Sequence, residues 1–501
     1  MGEKLAKLKD ILGEVADLRA AESVLSWDQQ TYMPPGGTDG RAMALSTLSR
    51  VSHERFVSDQ VGELLESAQA EVSDQGPDSD DVRLLRVTRR LYRKERKVPA
   101  EYVAEFSRIT ALANQTWQQA RAESKFSIFQ DHLVHIVKMR RQYADFFAPY
   151  DSVYDPLLDD FEPGMKTAQV KAIFDALRPR QVELIQAISA KGPVVDDSIL
   201  HKHYPEDRQW TFGIEVAQRF GYDLSRGRQD RSTHPFTSGF NTGDVRITTR
   251  FDPNYLTDAL FSTLHETGHA LYEQGIPARL DRKPLASALS MAIHESQSRT
   301  WENLVGRSRA FWMAFYRRLQ ELFPENLSPV DLETFYRAVN KVSPSLIRVD
   351  ADEATYNLHI MLRFDLELSL MEGTLAVPDL PQAWNGCMQD YLGLTPPDDA
   401  KGVLQDIHWS FGGIGYFPTY ALGNLVAAQL WETILKAIPD LPQQIEHARF
   451  DGLLAWLREN LHQHGGKFEP MELIERTTGA PLSPEPYLRY LKGKYGEIYR
   501  L

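Results

Sequence analysis

Along most of the chain, apolar residues recur every three or four positions with Lys, Arg, Glu and Asp between them, as in EYVAEFSRITALANQTWQQARAES from Glu101. That period gathers the apolar side chains on one helix face, so the pattern predicts a mainly helical protein. The opening residues, MGEKLAKLKDILGEVADLRAAESVL, mix acids and bases at the same spacing and lack a continuous apolar core. They predict a folded helix rather than a secretory signal. Proline, glycine and acids cluster at TYMPPGGTDG (Thr31 to Gly40), SDQGPDSDD (Ser73 to Asp81), KGPVVDDS (Lys191 to Ser198) and VPDLPQAW (Val377 to Trp384). These are breaks between helices, none long enough for a disordered linker. One stretch departs from helix: in HPFTSGFNTGDVRITTRFDP, His234 to Pro253, Val245, Ile247 and Thr249 alternate with Arg246, Thr248 and Arg250 after a Gly-containing turn. It predicts a hairpin.

Immediately after that hairpin, Tyr255 to Gln274 reads as one helix, with Asn254 as N-cap, Asp258 in the first turn, Leu256, Leu260 and Leu264 on one side, and Gly275 and Pro277 as the stop. It contains LHETGHALYEQG, in which His265 and His269 fall one turn apart on the same face. Two imidazoles at that spacing can grip one zinc ion, and Glu266 beside them can take a proton from a water on the metal. A catalytic zinc needs a third protein ligand. Tyr272 and Gly275 stand where a metzincin would carry glycine and histidine, which excludes that class. A carboxylate from a second helix is the remaining common solution. LASALSMAIHESQSRTWENLVGRS, Leu285 to Ser308, reads as such a helix and offers Glu295, with His294 as rival ligand.

Peptide hydrolysis also needs an oxyanion donor and a means of aligning the substrate. GVLQDIHWSFGGIGYFPTYALG, Gly402 to Gly423, sets His408, Tyr416 and Tyr420 among glycines in a nearly uncharged stretch, where their donors face little competition from water. SLIRVDADEATYNLHIMLRFDLEL, Ser345 to Leu368, reads as a helix opening after Pro344, with Arg348 one turn from Asp352. A guanidinium fork oriented by Asp352 would suit the free C-terminus of a peptide. Arg246, in the strand DVRIT, is a second such candidate, and that strand's edge could pair with an extended peptide.

Composition narrows the partners. A chain of 501 residues with 42% hydrophobic residues can bury a large core, and a formal net charge of -13 argues against a general nucleic-acid surface. The one basic run, RLLRVTRRLYRKERK from Arg83 to Lys97, carries Leu84, Leu85, Val87 and Leu91 at helical spacing and reads as a solvated helix face. Cys387 is the only cysteine, so neither an intramolecular disulfide nor a cysteine-rich metal site can form, which fits a reducing cytoplasm. WSFGGIGYFPTYALGNLVAAQLW, Trp409 to Trp431, is uncharged, but its glycines, Pro418 and tyrosines make it too broken for a membrane span, and it reads as a buried segment.

HPF at His234, DVRIT at Asp244, HETGH at His265, HESQ at His294, IRVDAD at Ile347 and GVLQDIHW at Gly402 together resemble the carboxypeptidase Taq family of metallocarboxypeptidases. WDQQTYMPPGG at Trp27 and YDPLLDDFEPGM at Tyr154 extend the resemblance over nearly the whole chain. The resemblance implies a mainly α, two-lobed body with a deep groove and a small β-sheet near the metal, similar to neurolysin and angiotensin-converting enzyme. It implies one domain over 1–501, with a helical part over 1–230 supplying a lid and a zinc-binding part over 231–501. It makes His265, His269 and Glu295 the zinc ligands, Glu266 the general base, Tyr420 the oxyanion donor, and Arg348, Arg246 and His408 the substrate contacts. The implied activity is release of single C-terminal residues from peptides with broad specificity by a homodimer, with cobalt able to replace zinc. An oligopeptidase using the same zinc core is the alternative within the enzyme class, and a peptide-binding protein with a structural metal site is the alternative outside it.

Overall fold

A computed structural model describes residues 2–288 and 290–501. Helices dominate, as the period predicts, and the strands form one three-stranded sheet. The chain opens with the long helix Glu3–Thr31 packed on Thr38–Phe56, followed by the basic helix Asp80–Lys97 and the mutually packed helices Ala100–Ala122 and Phe126–Asp145. Two later pairs of elements carry the chemistry. Helix Leu256–Gly275 packs on helix Met291–Arg299, which in turn packs on helix Pro418–Ala437. Helix Tyr356–Glu372 lies against Pro418–Ala437 as well.

The predicted hairpin forms from β2 (Thr237–Asn241) and β3 (Asp244–Thr249), antiparallel. A strand the alternation did not reveal, β1 (Gln229–Arg231), pairs parallel with β3 and makes β3 central. Three residues are too few to display a period. The register sorts the two faces of the sheet, because cross-strand partners share a face. Thr237 pairs with Ile247 and Ser238 with Arg246. The Thr237 side chain reaches Glu266, so that face meets the His265 helix. On the other face the first helix lays Trp27 over the Arg246 guanidinium, 4.3 Å from the ring centre.

Several boundaries differ from the expected ones. The His265 helix runs Leu256–Gly275 with Tyr255 at the cap position, and the Asn254 amide instead donates to Asp252 Oδ1 at 2.7 Å, so Asn254 is not the cap. The Glu295 helix starts at Met291, where Ser290 Oγ accepts from the Ile293 amide, not at Leu285. It passes into a π-helical turn over Thr300–Val305. Met1 and Leu289, which fall within two of the expected helices, lie outside the described residues. The stretch after Pro344 is a short 3-10 turn, Arg348–Asp350, and the helix begins only at Tyr356. Asp352 explains the delay: its carboxylate accepts from the amides of Ser343, Ala354 and Thr355, a local turn that competes with helix.

Trp409 to Trp431 is largely buried, and the helix Pro418–Ala437 that it enters runs through the core. Among the described residues no helix is long and apolar enough to cross a membrane.

Candidate metal centre

Three of the residues singled out by spacing converge. His265 Nε2 and His269 Nε2 lie 3.7 and 3.6 Å from the same oxygen, Glu295 Oε2, and the three donor atoms all fall within 4.8 Å of one another. Ligand atoms about 2.1 Å from a tetrahedral centre sit roughly 3.4 Å apart, so the residues fit a cation of that size. Three lone-pair donors facing one point repel each other unless a cation stands between them.

Two glycines permit this convergence. A Cβ at Gly268 would come within 2.6 Å of the Gln297 carbonyl oxygen and the Ser298 Cα, so the middle of HETGH is where the two helices touch backbone to backbone. A Cβ at Gly423 would lie 2.5 Å from Glu295 Cγ, so the Pro418–Ala437 helix presses against Glu295 from the other side. Tyr420 is one turn earlier on that helix, which puts it on the same face.

Each donor is held from behind. His265 Nδ1 is 2.9 Å from Glu302 Oε2, which keeps the proton on Nδ1 and frees Nε2 for a metal. Glu302 lies in the π turn that continues the Glu295 helix. Burial would raise the Glu302 carboxyl, but Arg299, His265 and Arg307 hold it down at about 2. Arg299 Nε donates to Glu295 Oε1 at 2.7 Å and its Nη1 to Glu302 Oε2 at 3.0 Å. One guanidinium thus fixes a ligand directly and another through its partner. His294 is not a member of the cluster. Its Nδ1 lies 2.5 Å from His269 Nδ1 and its Nε2 2.8 Å from Glu273 Oε1, a chain that orients His269.

Glu266 is buried between the two histidines, and Thr237 Oγ1 donates to its Oε2 at 2.6 Å. Burial pushes its carboxyl above the ordinary value.

A second cluster holds Arg348, His408 and Tyr420. Arg348 Nε and Nη2 donate to Asp406 Oδ1 at 3.0 and 2.8 Å, its Nη1 donates to the Tyr356 hydroxyl at 3.0 Å, and its guanidinium lies 5.1 Å from the Tyr420 ring centre. Asp352 makes none of these contacts, so the expected Arg348–Asp352 pair is replaced by Arg348–Asp406. Burial alone would raise the Asp406 carboxyl, yet Arg348 and the fully buried Arg363 hold it well below the usual carboxylate range. His408 Nε2 is 3.3 Å from the Tyr420 hydroxyl, and burial pushes the imidazole down to about 3, so it is neutral at physiological pH. Burial raises the Tyr420 phenol well above its ordinary value, so it keeps its proton. Tyr356 joins the two clusters: its ring lies 4.6 Å from the Arg299 guanidinium, and its hydroxyl accepts from Arg348.

Arg246 stands apart. Its Nε and Nη2 donate to Asp244 at 2.9 and 2.8 Å, and it is stacked between Trp27 and Phe240. Arg299, Glu302, Thr237, Asp406 and Arg363 escaped the sequence reading. Arg299 and Glu302 were recoverable, since they follow Glu295 by four and seven positions on one helical face. Asp406 lies inside the GVLQDIHW motif, but nothing local points it at Arg348.

Comparison with known proteins agrees with this geometry. A family profile described as carboxypeptidase Taq (M32) metallopeptidase matches residues 7–495. Thermostable carboxypeptidase 1 of Thermus thermophilus is 41% identical over 495 residues, covering 97% of each chain, and carboxypeptidase 1 of Bacillus subtilis is 36% identical over 98% of each. The crystal structure of an M32 carboxypeptidase from Deinococcus radiodurans R1 superposes with a TM-score of 0.97 at 42% identity over 100% of both chains. Metallocarboxypeptidase 1 of Trypanosoma cruzi gives 0.94 at 33% identity, over 98% of this chain and 99% of that one. With two imidazoles and a carboxylate converging on one point, and relatives matching from end to end, the chain belongs to the carboxypeptidase Taq (M32) family of metallopeptidases.

Proposed function

We propose that the protein is a zinc-dependent carboxypeptidase that releases single residues from the free C-termini of peptides with broad specificity. The observation that carries this reading is the convergence of His265, His269 and Glu295 with Glu266 buried beside them. Those three residues would hold the cation. Two imidazole nitrogens and one carboxylate suit zinc, and cobalt accepts the same donors. A divalent cation bound there supplies Lewis acidity for the scissile carbonyl and for an attacking water.

Glu266 takes the proton of that water on its carboxylate and returns it to the leaving amine. Thr237, bonded to Glu266 Oε2, steers the other carboxylate oxygen toward the water. Tyr420, a neutral phenol, donates to the carbonyl oxygen as negative charge develops on it. His408 orients that phenol and contacts the substrate. Arg348 receives the terminal carboxylate: its fork is pre-positioned by Asp406 and Tyr356, and it shares a cluster with Tyr420. Arg246, paired with Asp244 and covered by Trp27, is the second substrate contact. The working form is a cytoplasmic homodimer.

The test is mass spectrometry over time of a short peptide in free-acid and C-terminally amidated forms, with a chelator-treated control. A metal-dependent ladder losing one C-terminal residue at a time from the free acid only is expected. Internal fragments, or equal cleavage of the amide, would replace this reading with an oligopeptidase.

A further inference from the structure

The basic run has no place in the chemistry above, and its geometry is more specific than a solvated face. Helix Asp80–Lys97 buries Leu84, Leu85 and Val87, and Arg83 turns inward between Asp78 and Glu472. Arg86, Arg90, Arg93 and Lys97 follow at spacings of three and four, with Lys94 next to Arg93 and one turn after Arg90, so they line one side of the helix over about 16 Å at 1.5 Å per residue. With Arg89, Phe147 and Asp159 they line an open depression of about 440 Å³. Six cations line it, and Asp159 is the one carboxylate among the lining residues.

That carboxylate is already engaged. Asp159 accepts from Arg90 at 2.6 Å and from Lys94 at 2.8 Å, and Asp160 takes Lys94 at 2.7 Å. Arg89 donates to the Leu65 carbonyl and to Gln69. Arg89 also meets Glu66 at 3.5 Å, and the remaining cations are paired loosely or not at all. The nearest carboxylate to Arg86 is Glu469 at 3.5 Å, and to Arg93 it is Glu66 at 3.9 Å; both arginine side chains are more than half exposed. Among the described residues Lys97 has no ion pair, and its ammonium rests 5.4 Å from the Phe147 ring centre. Exposed pairs at such distances neutralise little. Like charges one helical turn apart repel, and a concave wall concentrates their field. On a chain of net charge -13 this is a positive pocket against the overall field.

We propose that this depression is a binding site for a compact multivalent oxyanion, a di- or triphosphate group. Arginine forks match phosphate oxygens two at a time, and a ligand bearing several phosphates can engage Arg86, Arg93 and Lys97 together where a single carboxylate would meet only one. Its volume is that of a small-molecule site. A long nucleic acid is disfavoured by the negative charge of the remaining surface.

The experiment is calorimetric titration of the metal-loaded full-length protein with sodium tripolyphosphate at about 0.15 M ionic strength. Saturable one-to-one binding is expected, weakened at least about tenfold in the Arg93→Gln/Lys97→Gln double variant, whose substitutions are on the exposed face. Adenosine triphosphate binding as tightly as tripolyphosphate would assign recognition to the phosphates alone, and tighter binding would assign the site to a nucleotide. Absence of saturable binding, or binding equal in wild type and double variant, as chelation at the metal cluster would produce, overturns the proposal.

Discussion

At the His265 cluster the candidate ligands come from two successive α-helices separated by the stretch 276–290, and the groups behind them, Glu302, Arg299, Glu273 and His294, lie on those helices or the turn that continues one of them. The Arg348 cluster instead assembles from a 3-10 turn, the loop at Asp406 and two separate helices, with the central ion pair spanning 58 positions of sequence. The first needs donors held around one point, which helical repetition supplies locally. The second holds a cation fixed, and burying it requires a distant carboxylate and a second arginine. Tyr356, in contact with Arg299 on one side and Arg348 on the other, joins the two clusters.

The sharpest way to separate the clusters is Glu266→Gln. It should lower kcat by about 10³-fold, within the range of general-base loss, while bound metal measured by atomic emission stays equal to wild type. Unchanged turnover would remove Glu266 from the mechanism. Asp406→Asn attacks the other cluster. It leaves Arg348 and Arg363 buried without their shared anion, and breaking such an arrangement costs about 3–5 kcal/mol, read as a lower denaturation midpoint with metal binding retained in the folded fraction. A change below about 1 kcal/mol would mean that the pair contributes little to the fold.

Arg299→Gln tests how far local support matters. Apparent metal affinity, measured by competition with a chelating dye, should fall about 10- to 100-fold, with partial recovery in Arg299→Lys. Equal affinities in all three proteins would show that Glu295 needs no such hold.

A pH test concerns Glu162, which accepts from Ser290 Oγ and the Ala292 amide at the start of the Glu295 helix, both at 2.6 Å. Burial pushes its carboxyl up to about 8. A raised folded-state value means stability that is complete below the ordinary glutamate range and lost as pH rises through about 8. Between about pH 5 and 8.5, wild type should therefore lose more stability than Glu162→Gln, as compared by urea midpoints. Parallel pH profiles would contradict this.

The same contrast explains what was legible in the sequence. His265, Glu266 and His269 were readable because the helical period fixes which side chains share a face, and Glu295 because a carboxylate from a second helix is the common third ligand, although His294 beside it stood as a rival. The helix expected from Ser345 failed because the Asp352 side chain captures three backbone amides, an outcome periodicity does not encode. The pairing of Arg348 with Asp406, and the depth of Arg363 beneath both, arise from tertiary packing alone. Arg246 illustrates the limit from the other side: alternation placed it correctly in a strand, but only the position of the first helix shows that Trp27 covers it.

The most direct measurement of the account is the ratio of kcat/KM for free-acid and C-terminally amidated versions of one peptide, in wild type and in Arg348→Met, both checked for full metal content. The wild type should prefer the free acid by about 10²-fold, the value of a buried charge-assisted contact, and Arg348→Met should bring the ratio close to one while retaining its metal. A variant that keeps the wild-type preference would show that the terminal carboxylate is recognised elsewhere, and the division of labour between the two clusters would fall.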